Sequence, residues 1–126
     1  MKQYTNESQT TKLIELGFEK PKNISGYCQR DRYEYDAENN TKMLVYDDAH
    51  YPIYRYSIGE LIEMLPEAVC LSYDDSVHYY LEISSNALYW NVAYKDGSYE
   101  AYSVESDELI DALYYMIVKL KEEGVI

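Results

Sequence analysis

The sequence predicts an α+β fold: a small antiparallel sheet (a meander) with about three helices, the C-terminal helix packing on the sheet. Three observations carry that prediction. From Val69 to Val104, apolar and polar residues alternate with period two, as in half-buried strands. Ser57-Ile58-Gly59-Glu60 has the spacing of a capping box, in which serine and glutamate satisfy each other's backbone N–H groups. Leu109, Leu113, Met116, Ile117 and Leu120 fall on one stripe at helical spacing. Strands grouped together, without a strand–helix alternation, argue for α+β rather than a doubly wound sheet.

Taken in order, Thr5-Asn6-Glu7-Ser8 can cap a helix through Lys12, Leu13, Ile14 and Leu16 that stops at Gly17. Glycine suits that place because it tolerates a left-handed backbone. Residues 18–23 then read as a connector. Ile24–Arg30 and Lys42–Tyr46 read as two strands, with a polar turn over Asp36–Asn40. The capped middle helix has Tyr56 and Leu61 where a hydrophobic staple belongs, and Pro66 ends it. In the meander, Leu81 and Ile83 alternate with Glu82 and Ser84, and Leu88, Trp90, Val92 and Tyr94 alternate with Tyr89, Asn91 and Ala93. Ser85-Asn86 and Lys95-Asp96-Gly97 mark turns, and Leu88, Trp90 and Val92 are expected to face the core. Ser106 is expected to cap a final helix of about Asp107–Glu123, with Asp107 and Glu108 in its first turn and Gly124 as its stop.

The chain has 126 residues and fits a single domain, 1–126. Such a domain buries roughly two-thirds of its unfolded surface and needs no staple to fold. The net charge of −12 disfavours direct nucleic-acid binding and attachment to an anionic membrane, both of which need a basic footprint. Met1–Glu7 carries no apolar stretch of the kind a secretory signal has, so a cytoplasmic location is expected. Cys28 and Cys70 lie in apolar or aromatic runs and are expected to be buried thiols.

Three segments stand out: Gln9-Thr10-Thr11-Lys12-Leu13-Ile14-Glu15-Leu16-Gly17, Tyr56-Ser57-Ile58-Gly59-Glu60-Leu61-Ile62-Glu63-Met64-Leu65-Pro66, and Asp111-Ala112-Leu113-Tyr114-Tyr115-Met116 running on to Glu123-Gly124. Together they resemble a family of short uncharacterised proteins of phages and mobile elements of gut bacteria, which has no established function. Members often carry tryptophan before the middle serine, where this chain has Tyr56. The resemblance implies one domain and a bacterial cytoplasm and assigns no site.

Catalytic motifs are sparse. Tyr46-Asp47-Asp48-Ala49-His50 and Tyr73-Asp74-Asp75-Ser76-Val77-His78 echo each other, each placing two carboxylates and an imidazole close together. Asp47, Asp48, His50, Asp74, Asp75 and His78 are therefore candidate ligands for a divalent metal. The plainer reading is that each Asp-Asp pair ends a strand and starts a turn. There is no Gly-x-Ser-x-Gly elbow, and neither cysteine has a histidine nearby in sequence. The glycines are scattered singly, so no phosphate-binding loop is present and no cofactor is expected. The chain is read as a non-enzyme.

Charge and tyrosine are the remaining signals. Residues 1–32 hold six basic and four acidic groups, net +2, which leaves −14 on residues 33–126. That acidity serves solubility or, on another reading, imitates nucleic acid against a basic groove. There are 17 tyrosines, too many to be buried together, and tyrosine suits interfaces because it offers contact area, few rotors and a hydroxyl. The cluster Tyr51, Tyr54, Arg55 and Tyr56 beside Pro52 is the candidate partner-binding surface. The functional expectation is a protein-binding accessory protein. Alternatives are an acidic nucleic-acid-mimicking inhibitor, a divalent-metal or small-ligand domain, and a homo-oligomer pairing through its tyrosines.

Overall fold

A computed structural model describes residues 1–28, 31–36, 41–46, 51–71 and 74–126. The elements are α1 (Glu7–Glu15), β1 (Ile24–Cys28), β2 (Asp31–Asp36), β3 (Thr41–Tyr46), β4 (Tyr51–Tyr54), α2 (Ile58–Met64), β5 (Ala68–Leu71), β6 (Asp74–Ser85), β7 (Trp90–Asp96), β8 (Tyr99–Ser106) and α3 (Leu109–Glu122). The α+β class is confirmed. Strands β5-β6-β7-β8 form an antiparallel meander in sequence order, while β1 pairs with β4 and β2 with β3, one pair nested inside the other along the chain.

Each helix begins and ends for a local reason. Asn6 caps α1: its Oδ1 accepts from Gln9 N at 2.8 Å, and Gln9 Oε1 accepts from Asn6 N at 3.0 Å. Ser57 and Glu60 form the expected box on α2, with both reciprocal bonds at 3.2 Å. Leu65 then turns extended ahead of Pro66, as a residue before proline prefers. The ends of α1 and α3 are matched. Gly17 and Gly124 take positive φ of 99° and 75°. Phe18 N donates to Leu13 O at 3.2 Å and Val125 N to Leu120 O at 2.9 Å, the six-to-one bond of a Schellman motif.

The core lies between the meander and the helices. Leu109, Ile110, Ala112, Leu113, Met116, Ile117 and Leu120 of α3 are buried, and α3 packs on β7 and β8. They join Leu13, Leu61, Leu65, Val69, Val92 and Tyr94 in one cluster. Each fully buried large aliphatic side chain contributes about 1.5–3 kcal/mol.

Four expectations need correction. Two further strands accompany the two read from sequence, β2 between them and β4 after them; β2 is a charged run without aliphatic residues, and Pro52 masks β4, which tolerates it in a two-stranded ribbon. Leu88 is 80% exposed rather than in the core. The side-chain oxygen of Asn86 accepts from Leu88 N at 2.8 Å and Tyr89 N at 2.9 Å, so the turn runs through Leu88 and β7 starts only at Trp90. Ser106 does not cap α3: it closes β8 opposite Trp90, and Glu108 takes the cap position without a side-chain cap bond. Cys70 is exposed, not a buried thiol, because it lies on β5 at the edge of the meander; the Cys28 side chain lies outside the described set.

Candidate contact surface around Tyr54

The site is built on the connector 18–23, which runs from the end of α1 to β1. Three side-chain anchors fix it. The buried Tyr56 hydroxyl donates to the Glu19 carbonyl. Asn23 Nδ2 donates to Glu60 Oε1 at 2.6 Å and to Ser57 Oγ at 3.1 Å, and Lys22 N donates to Glu60 Oε2 at 3.2 Å. The glutamate of the capping box therefore also receives the connector. Charged acceptors make the stronger hydrogen bonds, so this carboxylate is the main clamp between α2 and the chain before β1.

Two depressions flank the connector, and Lys20 lines both. One, of about 560 Å³, is mixed in character, with Glu19, Lys22, Glu60 and Glu63 beside Phe18 and Met64 on its walls. The other, of about 300 Å³, is a mainly apolar groove lined by Thr10, Ile14, Lys20, Pro21 and Tyr54. Its apolar surface extends beyond the groove: Ile24 stands opposite Tyr54 in the β1–β4 register, and cross-strand partners share a face. Ile14, Ile24 and Tyr54 are 37%, 43% and 47% exposed. Three large apolar side chains from three elements are thus presented together to solvent.

Of the four expected contact residues, Tyr54 is exposed and Arg55 half-buried, while Tyr51 opens β4 with its side chain outside the described set. Tyr56 is a correction. It is 1% exposed and belongs to the core. The reason is its place just before the α2 cap: Thr5 N donates to Tyr56 O at 2.9 Å and Tyr56 N to Thr5 Oγ1 at 3.1 Å, drawing the N-terminal segment over it. Burial, and secondarily the Glu60 carboxylate, push the Tyr56 phenol above its ordinary pKa. Thr5 and Thr10 hydroxyls lie 2.7 Å apart beneath this junction, a buried polar pair that no sequence motif announces.

Asp47, Asp48 and His50 lie outside the described residues. Asp74 and Asp75 do not form the expected turn but start β6, Asp74 opposite Leu71, with side chains outside the described set. Among the described residues, no three His, Cys, Asp or Glu side chains converge as a metal site requires. What sequence spacing missed is a different pairing of His78. Its Nδ1 lies 3.2 Å from Cys70 Sγ, brought there by the antiparallel β5–β6 ladder. The histidine is eight positions away along the chain, and only the strand register makes the two neighbours.

Two pairs of adjacent tyrosines, one on β6 and one on α3, each turn one ring outward: Tyr80 and Tyr115 are exposed, while Tyr79 and Tyr114 are half-buried against the core. Among the described residues, no helix is long and apolar enough to cross a membrane. Comparison with family models, with curated proteins and with solved structures finds no match.

Proposed function

We propose that this chain is a non-enzymatic, cytosolic protein-binding accessory protein of a mobile element, and that its contact surface is the groove beside Tyr54. The observation that carries the reading is the joint exposure of Ile14, Ile24 and Tyr54 around an apolar groove. Contiguous exposed apolar surface with a polar rim is what protein partners use, and tyrosine is among the residues that anchor interfaces. Lys20 on the rim, within residues 1–32, which carry net +2 against −14 on the rest of the chain, favours a partner that offers an apolar side chain beside an acidic one. The mobile-element origin rests on the resemblance of the three helix-bearing segments.

The test is affinity capture from a bacterial cytosol at rising salt, with the unaltered chain, a Tyr54→Ala variant and a Tyr99→Ala variant. A partner anchored in an apolar groove stays bound through moderate salt, is lost with Tyr54→Ala and is kept with Tyr99→Ala. A partner that elutes steeply with salt and ignores Tyr54 speaks for the acidic face, as a nucleic-acid mimic requires.

A further inference from the structure

The edge of the meander brings together a thiol and an imidazole that the contact surface does not use. Cys70 on β5 and His78 on β6 are both exposed, and the thiol sulfur and the imidazole Nδ1 are at hydrogen-bond distance, 3.2 Å. Cys70 is a thiol, not part of a disulfide. The contact is set by backbone pairing: Val69 stands opposite Tyr79 in the ladder, which brings the neighbouring positions Cys70 and His78 together. The His78 ring is flanked by that of Tyr80, centroids 6.4 Å apart, and Tyr80 is itself exposed. An imidazole that can take the thiol proton is what turns a weak nucleophile into a strong one, since the thiolate is the attacking species.

We propose that Cys70, paired with His78, is a thiol-modification site at which the protein forms a mixed disulfide with small neutral or cationic disulfides. In the reaction, His78 Nδ1 takes the proton from Cys70 Sγ and the thiolate attacks one sulfur of the disulfide. A new bond forms between Cys70 Sγ and that sulfur, and the sulfur–sulfur bond of the reagent breaks. The other half leaves as a thiolate and takes the proton from His78. Cys70 is oxidised, one reagent sulfur is reduced, and no further oxidant is needed. The preference for uncharged or positive reagents follows from the charge of the chain, −14 over residues 33–126, which repels an anionic disulfide. The adduct would stand on an exposed strand at the end of the sheet, where it displaces no core residue.

The experiment is a rate measurement with cystamine at neutral pH, with peptide mapping by mass spectrometry so that the adduct on Cys70 is counted separately from any on Cys28. Three samples are compared: the folded chain, a His78→Gln variant, and the unaltered chain unfolded in urea, which reports Cys70 without its imidazole. At neutral pH an unassisted thiol is only a few per cent ionised, so the expected result is a folded-state rate about tenfold above the unfolded one. The His78→Gln variant should fall to near the unfolded rate. The unfolded reference keeps the test decisive even where the variant folds poorly. A folded rate no higher than the unfolded one, or a folded His78→Gln variant that reacts as fast as the parent, overturns the proposal.

Discussion

Asn23 Nδ2 donates to the Glu60 carboxylate across 2.6 Å, joining the connector before β1 to the capping box of α2. The carboxylate that closes the helix start also receives Ser57 N and Lys22 N, so one side chain serves both local and tertiary structure. The position of Tyr54 depends on this junction, because β4 runs into α2 directly and pairs with β1, which the connector delivers.

That arrangement ranks two substitutions. Ser57→Ala removes the cap acceptor for Glu60 N and one of the two acceptors of Asn23 Nδ2, which keeps its shorter bond to Glu60, and should cost about 1 kcal/mol. Glu60→Ala leaves three donors without their carboxylate and should cost more, on the order of 2–3 kcal/mol, since bonds to charged groups are worth more. Urea melts of the two variants check the order; equal costs would mean that Glu60 acts as a helix cap alone.

Two leucines that alternation treats alike should behave differently. Leu113 is fully buried on α3 and Leu113→Ala should cost roughly 2–5 kcal/mol through the cavity it leaves. Leu88 stands in the Asn86 turn, and Leu88→Ser should change stability by no more than about 0.5 kcal/mol. Thermal or urea denaturation of both variants reads the contrast directly.

Much of the fold was legible because its signals are local. The capping box at Ser57, the helix stop at Gly17 and the α3 stripe each depend on residues within a few positions of one another. The misreadings share a cause as well. Leu88 fits the period-two pattern, yet the Asn86 side chain competes for its backbone N–H and holds the turn one residue pair longer. Tyr56 reads as part of an aromatic surface cluster, yet the N-terminal segment around Thr5, 51 positions away, closes over it. The Cys70–His78 pair depends on strand register across a β-bulge, which residue spacing does not encode. At the candidate site, Tyr54 could be singled out from composition, whereas Ile14, Pro21 and Ile24 became its neighbours only through the packing of α1 and β1.

Alkaline pH should destabilise the protein in a way that can be assigned. Burial raises the Tyr94 phenol well above its ordinary value, and its hydroxyl donates to the Pro66 carbonyl at 2.7 Å. Tyr102 is raised too, by burial first and then by the Glu123 carboxylate that accepts its hydrogen bond. Above about pH 10 the unfolded chain therefore releases protons that the folded chain keeps. Their stabilising contribution is complete below that value and is lost as pH rises toward the folded-state pKa values. The melting temperature should fall from about pH 10 upward, and Tyr94→Phe should flatten the fall; an unchanged slope in that variant would place the effect elsewhere.

The most direct measurement of the contact-surface proposal is site-specific photo-crosslinking in the cytosol of a bacterium, with a photoreactive phenylalanine at position 54 or, separately, at position 99. Both tyrosines are exposed, but only Tyr54 borders the apolar groove. The expectation is a discrete crosslinked polypeptide from position 54 that vanishes when Ile14→Ser is added, with none from position 99. Crosslinks from position 99 alone, equal crosslinks from both positions, or no product at position 54 would contradict it.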